Sequence, residues 1–266
     1  MKRASRIKPN RVGLPMLKDV LGKEVLLSSW FYTKELFKEL LWPTRCVLCD
    51  MPDTLLCHSC KVNLPYLDQL QSCPVCGSPF GKGICTECNR FILDWKHLSS
   101  FPLDGCASTT RLTPETRRII TCYKDRGEQR LAHVIANFMA DSFPYSWKEG
   151  AILVPIPTRP SARRERGFDH LEKITACLSE VTQLPSSNAL SANTKKDQRL
   201  LDGQARLRNM KNSFSLNQSM VELLKCAQRI ILVDDVMTTG ATLFSAAEIL
   251  RTVTSVPICG LTFARA

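Results

Sequence analysis

Nowhere in the 266 residues does an unbroken apolar run approach the roughly 18 residues that a membrane-spanning helix needs. A helical span is therefore excluded. Histidine is scarce as well, and the four, at positions 58, 97, 133 and 170, form no recognisable ligand or catalytic set. Residues 1–11 carry Lys2, Arg3, Arg6, Lys8 and Arg11 without an acid, but Lys18, Asp19, Lys23 and Glu24 interrupt any signal-peptide core behind them. Secretion is not expected, and a cytoplasmic, reducing location is. Acid is in deficit: 25 Asp and Glu face 36 Lys and Arg, a formal net charge of +11. The excess sits in residues 1–45 at +6 and 151–266 at +5, while 46–90 stand at −1. Such a balance permits polyanion partners without identifying one.

Three regions differ in character. Residues 1–45 read as a basic tail and an amphipathic helix, because in SSWFYTKELFKELLWP the apolar Leu36, Phe37, Leu40 and Leu41 interleave with Lys34, Glu35, Lys38 and Glu39 until Pro43. That helix fits packing on the protein's own surface, and also attachment to a membrane surface or partner, since amphipathy alone does not separate them. Residues 46–90 form a cysteine-rich module. Residues 91–266 alternate strands and helices, which predicts an α/β fold with a mainly parallel sheet flanked by helices.

In that last region Thr113-Pro114-Glu115 opens a helix through Ile119 and Ile120. A second helix follows Gly127, with Leu131, Val134, Ile135 and Phe138 on one face. AILVPIP reads as a strand, and Phe168, Leu171, Ile174, Leu178 and Val181 recur at helical steps after it. A polar loop covers about 185–213. A strand from Arg229 to Val233, a helix with Leu243, Ala246, Ala247 and Leu250, and a last strand in VPICGLTF complete the chain.

Eight cysteines stand as four C-x-x-C pairs: Cys46/Cys49, Cys57/Cys60, Cys73/Cys76 and Cys85/Cys88. Each pair can turn two thiolates toward one ion, and four soft sulfurs in a tetrahedron suit zinc. The spacing predicts two sequential structural Zn2+ sites, the first from 46, 49, 57 and 60 and the second from 73, 76, 85 and 88. An interleaved arrangement and disulfides are the alternatives. Each filled site carries a net negative charge, which lowers the formal +11 to about +7. Cys106, Cys122, Cys177, Cys226 and Cys259 lack this spacing and are expected to be buried small hydrophobes.

The stretch IILVDDVMTTGAT (230–242) ends an apolar run on two adjacent acids and then a loop of small residues. In an open parallel sheet, ligands sit beyond the carboxyl ends of strands. Thr238, Thr239, Gly240, Ala241 and Thr242 there form a phosphate cradle at a helix N-terminus, with Gly240 allowing close approach. It lacks the lysine of G-x-x-x-x-G-K-[ST], which disfavours nucleoside-triphosphate hydrolysis. If the phosphate belongs to a sugar, Asp234 and Asp235 can accept hydrogen bonds from its hydroxyls.

This segment resembles the phosphoribosyl diphosphate (PRPP) binding motif of type I phosphoribosyltransferases, which implies that Asp234 and Asp235 face the ribose and 238–242 hold its 5-phosphate. Taken with the cysteine pairs, YKDRG at 123–127, VPIPTRPSARRERGF at 154–168, and Gln198, Leu201, Arg206, Asn209 and Phe214, the chain resembles the ComF (ComFC/GntX-like) family of competence proteins. That resemblance implies a zinc-ribbon module ahead of a type I phosphoribosyltransferase-like domain, and a role in natural transformation and DNA uptake, where DNA is handled as a single strand. Other uptake proteins, such as a helicase, are the implied partners.

Arginines 159, 163, 164 and 166, just after a strand, are placed to meet a diphosphate or nucleic acid, with Arg206 and the basic loop Lys195, Lys196, Arg199 and Arg208 beside them; a solvated basic turn is the plainer alternative. Mg2+ would bind chiefly through PRPP's own oxygens. No residue stands out as a general base, so turnover is not assigned, and a phosphoribosyltransferase of nucleotide salvage, or one with an unknown acceptor, remains the alternative function. The family usually reads R-G-F-N-Q, whereas Asp169 and His170 follow Arg166-Gly167-Phe168 here. An added acid is expected to repel a diphosphate if that position holds substrate.

Overall fold

A computed structural model describes residues 43–95, 98–193 and 213–266. The helix expected before Pro43, together with Arg206, its basic neighbours and positions 198, 201 and 209, lies outside the described residues. The cysteine-rich part contributes two short helices, α1 (His58–Val62) and α2 (Arg90–Trp95), among turns. The first strand, β1 (Gly105–Arg111), leads to α3 (Pro114–Lys124), where the Thr113 N–H donates to Thr116 Oγ1 at 2.8 Å and Pro114 occupies the first turn. Helix α4 (Leu131–Asp141) follows the break at Gly127.

After β2 (Ala151–Pro155) come α5 (Pro160–Arg166) and α6 (His170–Thr182), where the periodicity predicts one helix containing Phe168. The physical reason is Gly167, left-handed at φ +78°, which ends α5, while the Asp169 carboxylate starts α6 by accepting from the amides of Leu171 and Glu172. Phe168 falls in the turn between them, and Val181 is exposed.

Part of the expected polar loop is ordered as β3 (Leu190–Ala192), antiparallel to β4 (Phe214–Leu216). Helix α7 (Val221–Cys226), β5 (Arg229–Met237), α8 (Ala241–Leu250) and β6 (Ile258–Arg265) end the order. Cys226, expected to be buried, is exposed at the end of short α7, while Cys106, Cys122, Cys177 and Cys259 are buried. Strand β5 does not stop at Val233. Asp234 and Val236 continue the ladder opposite Thr262 and Ala264 of β6, so β6 supplies the partner groups that carry two poor strand formers.

The main sheet has the order β1-β6-β5-β2, all parallel. Ile230 to Val233 and every residue of β6 are buried, as expected for strands covered on both faces. Helices α4 and α6 pack on each other and on the strands, and α8 packs on β5 and β4. Both outer edges are closed. Leu153 of β2 bonds the segment 185–187, and β1 receives 65–67 antiparallel, with Leu67 N–H donating to the Thr109 carbonyl and Arg111 N–H to that of Pro65, each at 2.9 Å. The cysteine-rich part is thus hydrogen-bonded onto the sheet.

Candidate functional site

Two clusters of four sulfurs form, Cys46/Cys49/Cys57/Cys60 and Cys73/Cys76/Cys85/Cys88, with ligand atoms in each within 4.8 Å of one another. The sequential pairing is therefore the one the fold builds, and the interleaved alternative falls. Amides point at sulfur in both: Cys57 N–H reaches Cys46 Sγ and Glu87 N–H reaches Cys85 Sγ, each at 3.4 Å. Burial pushes the Cys46 thiol up, but the amides of Cys57, Cys49 and Leu48 outweigh it and bring it down to about 6. Burial and its neighbours push Cys60 up, and Cys88 up to about 12. Thiols this close cannot all ionise alone, and a Zn2+ ion is the partner that lets them. Both donor sets fit closed, structural zinc.

The second site lies at the carboxyl-terminal part of β5, past the end of β2. Asp234 and Asp235 are both buried, and Asp234 Oδ1 accepts from the Asp235 amide at 2.8 Å. The pair is split electrically. Burial and the neighbouring charge push Asp234 well above the carboxylate range. Burial would do the same to Asp235, but the Lys124 ammonium, which forms an ion pair with Oδ2, holds it below. The two adjacent acids are thus driven apart, one raised and the other lowered.

Around Asp235 the two quoted motifs meet. Lys124 and Asp125 end α3 and belong to YKDRG, while Arg166 belongs to VPIPTRPSARRERGF and His170 follows just after it. His170 Nε2 lies 3.7 Å from Asp235 Oδ2. Its Nδ1 lies 3.1 Å from Thr158 Oγ1 and 3.4 Å from Arg166 Nη1, and Arg166 Nη2 stands 3.8 Å from Asp125 Oδ1. Burial first, and Lys124 second, lower His170 to about 4, so the ring is neutral. The buried Tyr123 hydroxyl donates to the His170 carbonyl at 2.6 Å and fixes the start of α6.

The departure at 169 does not place a loose acid against a ligand. Asp169 is buried, its Oδ1 engaged by the amides of Leu171 and Glu172 and by the Thr158 hydroxyl at 2.9 Å. The arginine cluster divides. Arg166 is tied to the network above, Arg163 Nη2 lies 3.5 Å from Glu172 Oε2, and Arg159 and Arg164 are exposed.

The loop 238–242 opens α8. Gly240 takes φ +81° at the helix start, and a Cβ there would stand 2.6 Å from Phe244 Cζ and 2.8 Å from Met237 Cε. Thr238, Thr239 and Thr242 are exposed. The first-turn amides of α8 have no helical acceptor, so a small anion could be received there.

Sequence reasoning gave no role to Lys124, to His170 or to the contact of Arg265 with this loop, whose Nη1 donates to the Thr238 carbonyl at 3.3 Å. Lys124 carried a signal in its motif, and His170 one in its departure from the family's usual residues. Arg265 carried none, because its meaning depends on strands brought together by the sheet. Exposed aromatics on the cysteine-rich part were missed too: Phe91 and Trp95 share one side of α2 by their i, i+4 spacing, and the Phe80 ring is overlain by the Arg111 guanidinium at 4.6 Å.

Comparison with known proteins places these features in company. Residues 37–90 match the double zinc ribbon domain family. The chain is 26% identical over 225 residues to Competence protein ComFC of Bacillus subtilis (strain 168), covering 77% of this chain and 88% of that protein. To Competence protein F of Haemophilus influenzae it is 34% identical over 101 residues, covering 37% and 43%. To DNA utilization protein YhgH of Salmonella typhi it is 24% identical over 221 residues, covering 78% and 91%. Among solved structures, orotate phosphoribosyltransferase from Aeropyrum pernix aligns with a TM-score of 0.32 at 13% identity, covering 56% of this chain and 76% of that one.

Proposed function

The chain belongs to the ComFC family of competence proteins, and on that footing we propose that it serves competence by handling single-stranded DNA, with a phosphoribosyltransferase-like pocket that takes PRPP. The observation that carries the pocket reading is the meeting of Lys124 and His170 on Asp235, with Arg166 behind His170, next to a glycine-started helix N-terminus. A ligand with a sugar diol and a 5-phosphate matches the two halves of that arrangement. Its hydroxyls would compete with Lys124 for the acid pair, and its phosphate would meet the first turn of α8. Exposed Arg159 and Arg164 suit a diphosphate, whose remaining charge Mg2+ would offset.

Single-stranded DNA is favoured as the second ligand because the cysteine-rich part presents Phe80, Phe91 and Trp95 to solvent. Aromatic faces stack bases without sequence preference, and exposed Arg159 and Arg164 together with the chain's net positive charge favour phosphate contacts. A helicase or another uptake protein is the natural partner for a strand held this way. Transfer of the phosphoribosyl group to a salvage base or unknown acceptor is the alternative use of the same pocket.

Calorimetry with PRPP and Mg2+ is expected to give binding to the wild type and at least a tenfold loss in Asp235→Asn, whose amide keeps the volume but not the charge. Labelled oligonucleotide should bind with an affinity that falls steeply between two salt concentrations, and Phe91→Ala with Trp95→Ala should weaken it about tenfold. Absence of oligonucleotide binding at low salt would remove the DNA reading. Diphosphate release with a panel of bases would shift the assignment to the transferase.

A further inference from the structure

Arg265 stands at the end of β6 with only 4% of its side chain exposed. Its backbone is pinned on both sides, because Leu112 N–H donates to its carbonyl at 2.6 Å and the residue pairs with Met237 across the sheet. The guanidinium makes two contacts of different kinds. Nη2 forms an ion pair with the Glu87 carboxylate, and Nη1 donates to the carbonyl of Thr238, the first residue of the loop 238–242. Nε is buried without a partner, so those two contacts hold a buried cation almost by themselves.

Glu87 is itself part of the second cysteine cluster, lying between Cys85 and Cys88. Its amide donates to Cys85 Sγ at 3.4 Å, and its other oxygen accepts from Ser78 Oγ at 2.7 Å. A continuous path therefore runs from a metal-ligating sulfur through Glu87 and Arg265 to the backbone of the candidate phosphate loop. The first cluster has no such path among the described residues; the charged pair that flanks Cys46 and Cys49 in sequence, Arg45 with Asp50, is exposed and local.

We propose that Glu87 and Arg265 are positioning residues that couple metal occupancy of the Cys73/Cys76/Cys85/Cys88 cluster to the geometry of loop 238–242, so that zinc there and an anion at the loop each favour the other's binding. With the metal bound, the knuckle Cys85–Cys88 is fixed, Glu87 meets Arg265, and the Thr238 peptide is held in the orientation that starts α8. With the metal lost, Glu87 moves with the knuckle and leaves a buried guanidinium without its counter-ion, which must then re-pair or draw water at the loop. Linkage makes the coupling reciprocal. The anion half rests on reading 238–242 as a phosphate site, whereas the loop-geometry half does not.

The intact, zinc-loaded chain is compared with Glu87→Gln, Asp50→Asn, Arg265→Lys and Arg265→Ala. Hydrogen exchange at amides 238–242 reads the loop directly: Glu87→Gln, with both zinc ions retained by metal analysis, is expected to lose about tenfold in protection there and nowhere else in the sheet, with Arg265→Lys restoring part of the loss seen in Arg265→Ala. Unchanged protection in Glu87→Gln overturns the coupling whatever PRPP does. Calorimetry with PRPP should show a Kd raised at least fivefold in Glu87→Gln and unchanged in Asp50→Asn beside the first cluster. If wild type takes no PRPP while the exchange result holds, the pocket reading fails and the strut stands. Equal losses in the Asp50 and Glu87 variants would mean general destabilisation and sink the proposal.

Discussion

At Asp235 a carboxylate, an ammonium and an imidazole meet below the surface, and each sets the state of the others. His170 is kept neutral down to about 4, against an ordinary value of 6.5, chiefly by burial and then by Lys124. Between those two pH values the unfolded chain binds a proton that the folded one refuses, so stability rises with pH through that window and falls as the medium is acidified. The shift corresponds to about 3 kcal/mol at full effect. Melting temperature followed from pH 7 to pH 4 is expected to drop in the wild type, and His170→Gln should flatten the fall between 6.5 and 4. That Asp234 and Asp235 mark a special place was legible in the sequence, since paired acids at the end of an apolar run have no packing reason to be there. Which of them is raised and which is held down was not, because that is decided by Lys124, more than a hundred positions away along the chain.

Strands and helices were read with different success for physical reasons. The helix at 114 announced itself through a threonine, a proline and an acid in sequence, all local signals, and α3 begins there. The parallel core strands were equally plain, as unbroken apolar runs. The division into α5 and α6 escaped a reading based on apolar spacing, since Gly167 and Asp169 stop and restart the helix without changing its rhythm. The continuation of β5 to Met237 escaped it too, being supplied by β6 rather than by the residues themselves. At the start of α8 the requirement falls on one glycine. Gly240→Ala must both adopt a left-handed backbone and displace Phe244, and a cost on the order of 1–2 kcal/mol is expected in urea unfolding, with PRPP affinity falling alongside. A variant as stable as wild type would show that Phe244 and Met237 yield freely.

The zinc-ribbon part and the parallel sheet form one hydrogen-bonded body among the described residues. Four regular cysteine pairs made the metal sites legible, as their spacing alone brings sulfurs together. The docking of that part onto β1 was invisible, because Pro65 to Leu67 carry no mark of strand pairing. Metal analysis is expected to return two zinc equivalents per chain, and their removal by a strong chelator should lower the melting temperature of the sheet as well as release the ribbons. Retention of the sheet's full stability without metal would show that the two parts are energetically independent.

The antiparallel seam at Thr109 to Arg111 bears on how the protein can be dissected. A fragment cut away from its cysteine-rich half would leave one flank of β1 with bare amides and carbonyls, ready to zip onto a sister molecule. Any clumping, spurious dimer or lost activity in such a piece would then report the wound made by the cut, so loss-of-function tests are better made with point substitutions in the intact chain.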